Sequence, residues 1–291
     1  MSSEDLDRLL HRAHGLLDRL DRLVPNNSSQ TDWVSSTAFR WVSRDGKALV
    51  QPVRHFHRIR LSDLKGIDEQ KSAIKQNTRQ FLAGHPANNV LLTGARGTGK
   101  SSLVKALLSE FAAKRLRLIE VEKHHLVELP DIVDQVAERP ERFVLFCDDL
   151  SFDADEPGYK ALKVALDGSI AAASDNVLIY ATSNRRHLMP ESMRDNLDTR
   201  YISDEVHPSE AVEEKTSLSE RFGLWLSFYP FNQEQYLAIV AHWLTRYDVA
   251  ATTDVRRAAL NWAQLRGSRS GRAAWQFARD WAGKVRMKDG G

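Results

Sequence analysis

Residues 89–101 read NVLLTGARGTGKS, and the fold turns on this stretch. A short apolar run, 89–93, ends in glycine, and Lys100-Ser101 opens an amphipathic segment. Gly94-Ala95-Arg96-Gly97-Thr98-Gly99-Lys100-Ser101 fits G-x-x-x-x-G-K-[ST] at each fixed position. Each position has a physical reason. The glycines let the backbone turn so that successive N–H groups face one point, as an anion requires. The start of a helix adds positive potential there. Lys100 places a cation against β- and γ-phosphates, and Ser101 offers a hydroxyl to Mg²⁺. A chance match in a chain of this composition has odds of roughly one in a hundred. Gly94 to Ser102 are therefore the expected ATP contacts, with Ser101 on the metal.

Outward from this loop, apolar runs alternate with helical patterns. Strands are predicted at 89–93, 116–121, 142–147, 177–182 and 224–228. Helices are predicted at 68–83, 100–114, 130–138 and 159–170, with helical segments at 190–197 and 215–222. Short, wholly apolar strands between helices predict a five-stranded parallel sheet covered on both faces. After Pro230 the strands stop. Asn232 and Gln235 form a capping box, and helices follow near 232–247, 254–266 and 271–286. Residues 203–214, with Asp204, Glu205, Glu210, Glu213 and Glu214, read as an exposed acidic loop. Before the sheet, 4–24 is an amphipathic helix, 25–31 a polar linker, and 33–62 strand-like and aromatic. The domain reading is an N-terminal extension, 1–62, an α/β core, 63–231, and a helical lid, 232–291.

Composition bounds the rest. The chain has 291 residues, enough for a sizeable core, and 42% are hydrophobic against 27% charged, so wholesale disorder is excluded. Lys plus Arg number 41 and Asp plus Glu 39, a net charge of +2, so no global attraction to nucleic acid is implied. One cysteine, Cys147, excludes an intrachain disulfide framework and a Cys-rich zinc module. No apolar run reaches a membrane span and the N-terminus is acidic, so a cytoplasmic protein is expected, without a membrane partner. Positive charge gathers in one place. Residues 254–288 hold nine Lys/Arg and two Asp/Glu, with Trp262, Trp275 and Trp281 among them. Such a surface reads either as a lid whose arginines face ATP and solvent or as a nucleic-acid contact.

Acidic chemistry follows the strand at 142–147, which runs into Asp148-Asp149. Carboxylates ending a buried parallel strand lie at the sheet edge where ligands bind. Asp148 is the expected Mg²⁺ partner, and Asp149 the base that polarises water, with a turn cap as its plainer reading. His55 and His57 lie on one face of a strand without a third ligand, so a solvated face is the reading. His124 and His125, read as strand residues, would point apart.

Together these residues resemble the AAA+ ATPases over about 63–286. The resemblance implies an ATP site between core and lid, shared between subunits of a homo-oligomer, and hydrolysis that remodels a protein partner; the basic lid and the segment Arg54–Arg60 make an ATP-dependent nucleic-acid loader or motor the alternative. It implies that Asn184, ending the strand at 177–182, orients the attacking water. It implies an arginine finger before the fifth strand, Arg221, with Arg194 and Arg200 as rivals. It implies a second sensor arginine at the start of the last helix, Arg272, with Arg269 behind it. Asp149 departs from the glutamate usual in that family, so a nucleotide-gated scaffold with little turnover is an alternative. The phosphate loop at 94–102, Asp-Asp-Leu-Ser-Phe at 148–152 and Ala-Thr-Ser-Asn-Arg-Arg at 181–186 resemble more closely an uncharacterised bacterial group of predicted ATPases, a domain of unknown function.

Overall fold

A computed structural model describes residues 31–44, 47–56, 58–152, 156–167, 174–185, 188, 200–202, 205–207 and 218–289. Two units partition the chain, 1–36 and 37–291, and all that follows concerns the second. The expected helix at 4–24, most of the linker, the helical segment at 190–197 and Arg194 lie outside the described residues.

Seven strands form one sheet: β1 (Ala38–Arg44), β2 (Lys47–Pro52), β3 (Val90–Gly94), β4 (Leu116–Glu120), β5 (Arg142–Cys147), β6 (Val177–Ser183) and, last in the chain, Leu224–Phe228. Arg200–Ile202 and Glu205–His207 are β7 and β8, so Leu224–Phe228 is β9. The order across the sheet is β2-β1-β4-β5-β6-β3-β9. The β1–β2 pair is antiparallel and every other pair is parallel. The expected five parallel strands are present, and two are added. Their addition has a simple cause. β1 buries Phe39 and Trp41 on one face and Ala38 on the other, and it pairs with the otherwise open edge of β4. Trp41 also donates its indole N–H to Glu128, at 2.5 Å.

Residues 203–214 were expected as one acidic loop. Part of that stretch instead belongs to an antiparallel pair, since β8 pairs with β7 in register Tyr201↔Val206. Tyr201, Ile202 and Val206 are strand-favouring residue types, which suits a two-stranded ribbon better than an open loop. The histidine readings also change. β2 ends at Pro52, so His55 follows the strand rather than lying on it. His124 and His125 belong to a 3₁₀ turn, Lys123–Glu128, and their ring centroids are 4.0 Å apart. A strand would separate them, whereas a tight helical turn gathers neighbours.

Among the described residues the helices on the sheet include α1 (Asp68–Leu82), α2 (Lys100–Phe111), α3 (Leu129–Val136) and α4 (Pro157–Leu166). Val90, Leu91 and Leu92 of β3 are wholly buried, as are Phe143, Leu145, Phe146 and Cys147 of β5. Strands so apolar need helices on both faces, which is what right-handed crossovers supply. One buried polar network clamps α1 to the sheet. Tyr180 is fully buried in β6, and its hydroxyl meets Thr78 at 2.9 Å and accepts from Asn77 at 3.2 Å. Asn77 also exchanges two hydrogen bonds with the Asn88 backbone, each 2.9 Å. These bonds fix α1 against the residues leading into β3.

Three helices follow Pro230: α5 (Gln233–Thr245), α6 (Thr253–Leu265) and α7 (Gly271–Asp289). The capping box is present, with Gln235 N–H donating to Asn232 Oδ1 at 2.8 Å and the reciprocal bond at 3.0 Å. Tyr236, Phe277, Trp262 and Trp281 fill the space between them. Two contacts tie these helices to the sheet layer. Arg246 donates to the buried Asp63 carboxylate at 2.8 Å, and Gly271 N–H donates to the Gly97 carbonyl at 2.8 Å.

Tyr180→Phe removes one hydroxyl from the buried network and leaves Asn77 and Thr78 without that partner. A loss of about 1–2 kcal/mol is expected with the sheet intact. Urea denaturation followed by circular dichroism checks it, and an unchanged midpoint would show that the network contributes nothing.

Candidate nucleotide site

The phosphate loop occupies the place where the strand order reverses. β3 lies between β6 and β9, so the chain leaving β3 passes over the sheet edge into α2. In parallel α/β sheets this edge is where ligands bind. The loop begins against β9. Ala95 N–H donates to the Phe228 carbonyl at 3.2 Å. Gly94 has φ +124°, and a Cβ there would lie 1.9 Å from the Phe228 carbonyl oxygen. No other residue fits. Gly97 has φ +75°, and its Cβ would meet Ser270 at 2.8 Å, so the lid closes tightly on the loop.

Lys100 is buried, and its ammonium donates to the Gly94 carbonyl at 2.6 Å, the Ala95 carbonyl at 2.8 Å and Asn184 Oδ1 at 3.0 Å. Burial pulls its pKa below the ordinary lysine value, with Arg96 adding to the effect, against the opposing pull of Asp149 and Asp148. Ser101 Oγ donates to Asp148 Oδ1 at 2.6 Å. Thr182 Oγ1 also donates to Asp148 Oδ1 at 2.6 Å and accepts from the Asp149 N–H at 2.8 Å. Asn184 Nδ2 donates to Asp149 Oδ1. Asp149 is exposed, and its φ of +53° is the left-handed conformation that Asp tolerates better than most residues. Neighbouring Cys147 is wholly buried, and burial with the nearby Asp148 charge pushes its thiol up to about 12, so it is inert.

A cavity of about 610 Å³ opens over this group. Its polar wall is the loop with Asp148, Asp149, Thr182 and Asn184. Its apolar wall includes Ile59, Ile67, Ile239, Trp243 and Trp275, and Arg272 faces it from the first turn of α7. Of the expected loop contacts, Arg96 through Ser102 line this cavity. Gly94 and Ala95 instead hold Lys100 through their carbonyls. Ala95, Arg96 and Thr98 also border a second cavity of about 780 Å³, which Arg269 lines from the α6–α7 connection. The residues expected from three separate stretches, Lys100, Ser101, Asp148, Asp149 and Asn184, are thus one hydrogen-bonded chain.

Arg221 is not among them. Its Nε pairs with Asp167, just beyond α4, at 2.5 Å, and it does not line the cavity. Arg200 lies in β7, outside the seven-stranded sheet. Thr182 was missed by sequence reading, although a hydroxyl within the apolar run VLIYATS was a signal. Asp63, which pairs with Arg246, is buried. Burial alone would raise its carboxyl, but the Arg60 N–H, Arg246 and His242 together hold it below the usual carboxylate range.

The residues present fit a nucleotide. Gly94 and Gly97 leave no room for a Cβ, Gly99 has a φ of +105° that other residues rarely adopt, the buried lysine offers positive charge, and a serine hydroxyl and a carboxylate converge as hard oxygen donors. Among the described residues no cluster of three or more His, Cys, Asp or Glu could hold a metal by itself, so a cation here would need phosphate oxygens too. No described helix is long and apolar enough to cross a membrane.

Sheet order, loop and helical lid together define the AAA+ class of P-loop folds. Three solved structures show the same architecture. A variant of Thermotoga maritima RuvB aligns with TM-score 0.52 and 17% identity over 80% of this chain and 68% of that one. Aeropyrum pernix ORC1 in complex with DNA aligns with TM-score 0.54 and 16% identity over 77% of this chain and 61% of that one. The FIGL-1 AAA domain in complex with ADP aligns with TM-score 0.52 and 19% identity over 80% of this chain and 76% of that one. The chain itself belongs to the family described as "Protein of unknown function (DUF815)", whose model matches residues 34–285. No curated protein matches it.

The depressed Lys100 pKa has a testable sign. The folded protein releases this proton at lower pH than the unfolded chain does, so the burial penalty is complete at neutral pH and is relieved as pH rises toward lysine's ordinary range. The wild type should therefore gain stability relative to Lys100→Met between about pH 8 and pH 10. Urea midpoints of both proteins at the two pH values check this, and parallel curves would refute it.

Proposed function

We propose that this chain is a cytoplasmic Mg²⁺-dependent ATPase that assembles with copies of itself and uses ATP to remodel or load a macromolecular partner. The observation that carries this reading is the continuous hydrogen-bonded set of Lys100, Asn184, Asp149, Thr182, Asp148 and Ser101 at the mouth of the loop. An anion-binding cradle alone would not need two carboxylates aimed at it. A hydrolytic site does.

In this reading residues 63–231 are the nucleotide-binding core and 232–291 the lid. Backbone N–H groups from Arg96 to Ser102 surround the phosphates, with Gly94 and Ala95 shaping the loop behind them, and Lys100 balances their charge. Ser101 and Asp148 would hold Mg²⁺, which neutralises the polyphosphate when bound. Asp149 accepts the proton of the attacking water, and Asn184, already bonded to Asp149 and Lys100, fixes where that water stands. Arg272 approaches the phosphates from the lid. Arg221 acts on the site of a neighbouring copy, which requires it to exchange Asp167 for phosphate.

One observation favours a second reading, a nucleotide-gated scaffold with little turnover. Asp149 is shorter than glutamate and is already engaged by Asn184. A carboxylate held back in this way binds and positions better than it abstracts.

Phosphate release per protomer, measured against protein concentration with a Lys100→Ala control, separates these readings. Activity that climbs with concentration is expected. Asp149→Asn should retain ATP binding and lose turnover, and Arg221→Ala should lose about 10³-fold in kcat with unchanged ATP affinity. Tight ATP binding without phosphate release above the control would select the scaffold.

A further inference from the structure

We infer that the solvent face of α7 is a docking surface for the phosphate backbone of a nucleic acid. The inference does not rest on ATP turnover. Ala274, Phe277 and Ala278 mark the buried face of α7. On the opposite face Arg272, Arg279 and Arg286 recur every seven residues, two turns apart, and all three are exposed. They form a stripe about 21 Å long. Gly283 lies between Arg279 and Arg286 on that face, and a Cβ there would meet nothing within 4 Å. A ligand can therefore approach the helix backbone in the middle of the stripe.

Charge on this surface is uncompensated. The carboxylates nearby are already paired, Asp254 with Arg257 at 2.9 Å and Asp280 with Lys284 at 2.6 Å. Among the described residues no carboxylate pairs with Arg272, Arg279 or Arg286. Solubility alone is served by mixed charges of either sign, and lysine would serve as well as arginine. Three arginines of one sign on one face fit a partner with repeated anionic oxygens in forked geometry, as phosphates provide. Aromatic character is also placed for it. Trp262 and Trp281 pack into the core, but Trp275 stands outside that cluster with the Arg279 guanidinium 4.6 Å over its ring. Guanidinium–indole pairs beside a cationic stripe suit a nucleic-acid strand. The stripe starts at the nucleotide cavity, because Arg272 and Trp275 both line it. Occupancy of the cavity and of the stripe would meet at those two residues.

Fluorescence anisotropy of a labelled oligonucleotide of about 30 nucleotides, as single strand and as duplex, tests this with the full chain. Binding at about 50 mM salt that weakens steeply by about 200 mM is expected for at least one form. Arg279→Ala with Arg286→Ala should weaken binding at least several-fold and make the log–log salt slope shallower by about 1.4 for a single strand or about 1.8 for a duplex. The paired lysine variant, Arg279→Lys with Arg286→Lys, should keep most of the slope. ATP binding by the alanine variant should be unchanged, since neither residue lines the cavity, which also shows that the protein is folded. Lys100→Ala should still bind the oligonucleotide, so failure of the ATPase reading remains distinguishable. The inference is overturned if neither form binds at low salt or if the alanine variant binds with unchanged affinity and slope. It is also overturned if sizing shows that the alanine pair dissociates an oligomer, which would assign the stripe to a second copy of the chain.

Discussion

A buried ammonium group governs the arrangement at the C-terminal edge of the sheet. Lys100 must be desolvated to stand inside the loop, and a desolvated cation needs acceptors on every side. Two come from the loop itself, as the Gly94 and Ala95 carbonyls, and one comes from β6 through Asn184. Only a backbone bent sharply at Gly94 can present those carbonyls inward, and that bend is set by the close approach of β9. The parallel pairing of β3 with both β6 and β9 is therefore a condition for the loop's shape.

The carboxylates answer the same need at longer range. Asp148 and Asp149 leave β5, which is separated from β3 by β6, so β6 must bridge them. Thr182 does this with one hydroxyl that donates to Asp148 and accepts from the Asp149 backbone. The result is a set of charges whose positions are fixed before any ligand arrives, which is what electrostatic stabilisation of a transferring phosphoryl group requires. The lid joins this set through the bond from Gly271 to Gly97 and the buried Asp63–Arg246 pair. These two polar contacts add to a hydrophobic cluster shared by the sheet layer and the last three helices.

Much of this was legible in the residues. The loop motif, the apolar strands, the acidic pair and the strand-ending Asn184 are local patterns, and each lies where its pattern placed it. The capping box at Asn232 is local as well. What escaped depends on partners distant in sequence. β1 and β2 become part of the sheet because β4 offers an unpaired edge, and nothing within residues 38–52 reveals that. Thr182 looks like an ordinary strand residue until β5 and β6 are paired. His124 and His125 would point apart on a strand, and the 3₁₀ turn that brings them together lies in a stretch with no helical signal of its own.

Arg221 has a partner within the chain that its place in the sequence does not reveal. Order along the chain put it before the last strand, but its partner in the fold is Asp167, 54 residues earlier. The sequence by itself determined the phosphate loop, its lysine, the alternation of strand and helix, and hence the class of fold. These follow from backbone permissiveness and hydrophobic period, which are properties of neighbouring residues. The tertiary structure alone decided which carboxylate meets Ser101, which hydroxyl bridges the acids, which arginines reach the cavity and which face outward. Those outcomes depend on strand order and helix rotation, and they are set by packing between segments that sequence separates.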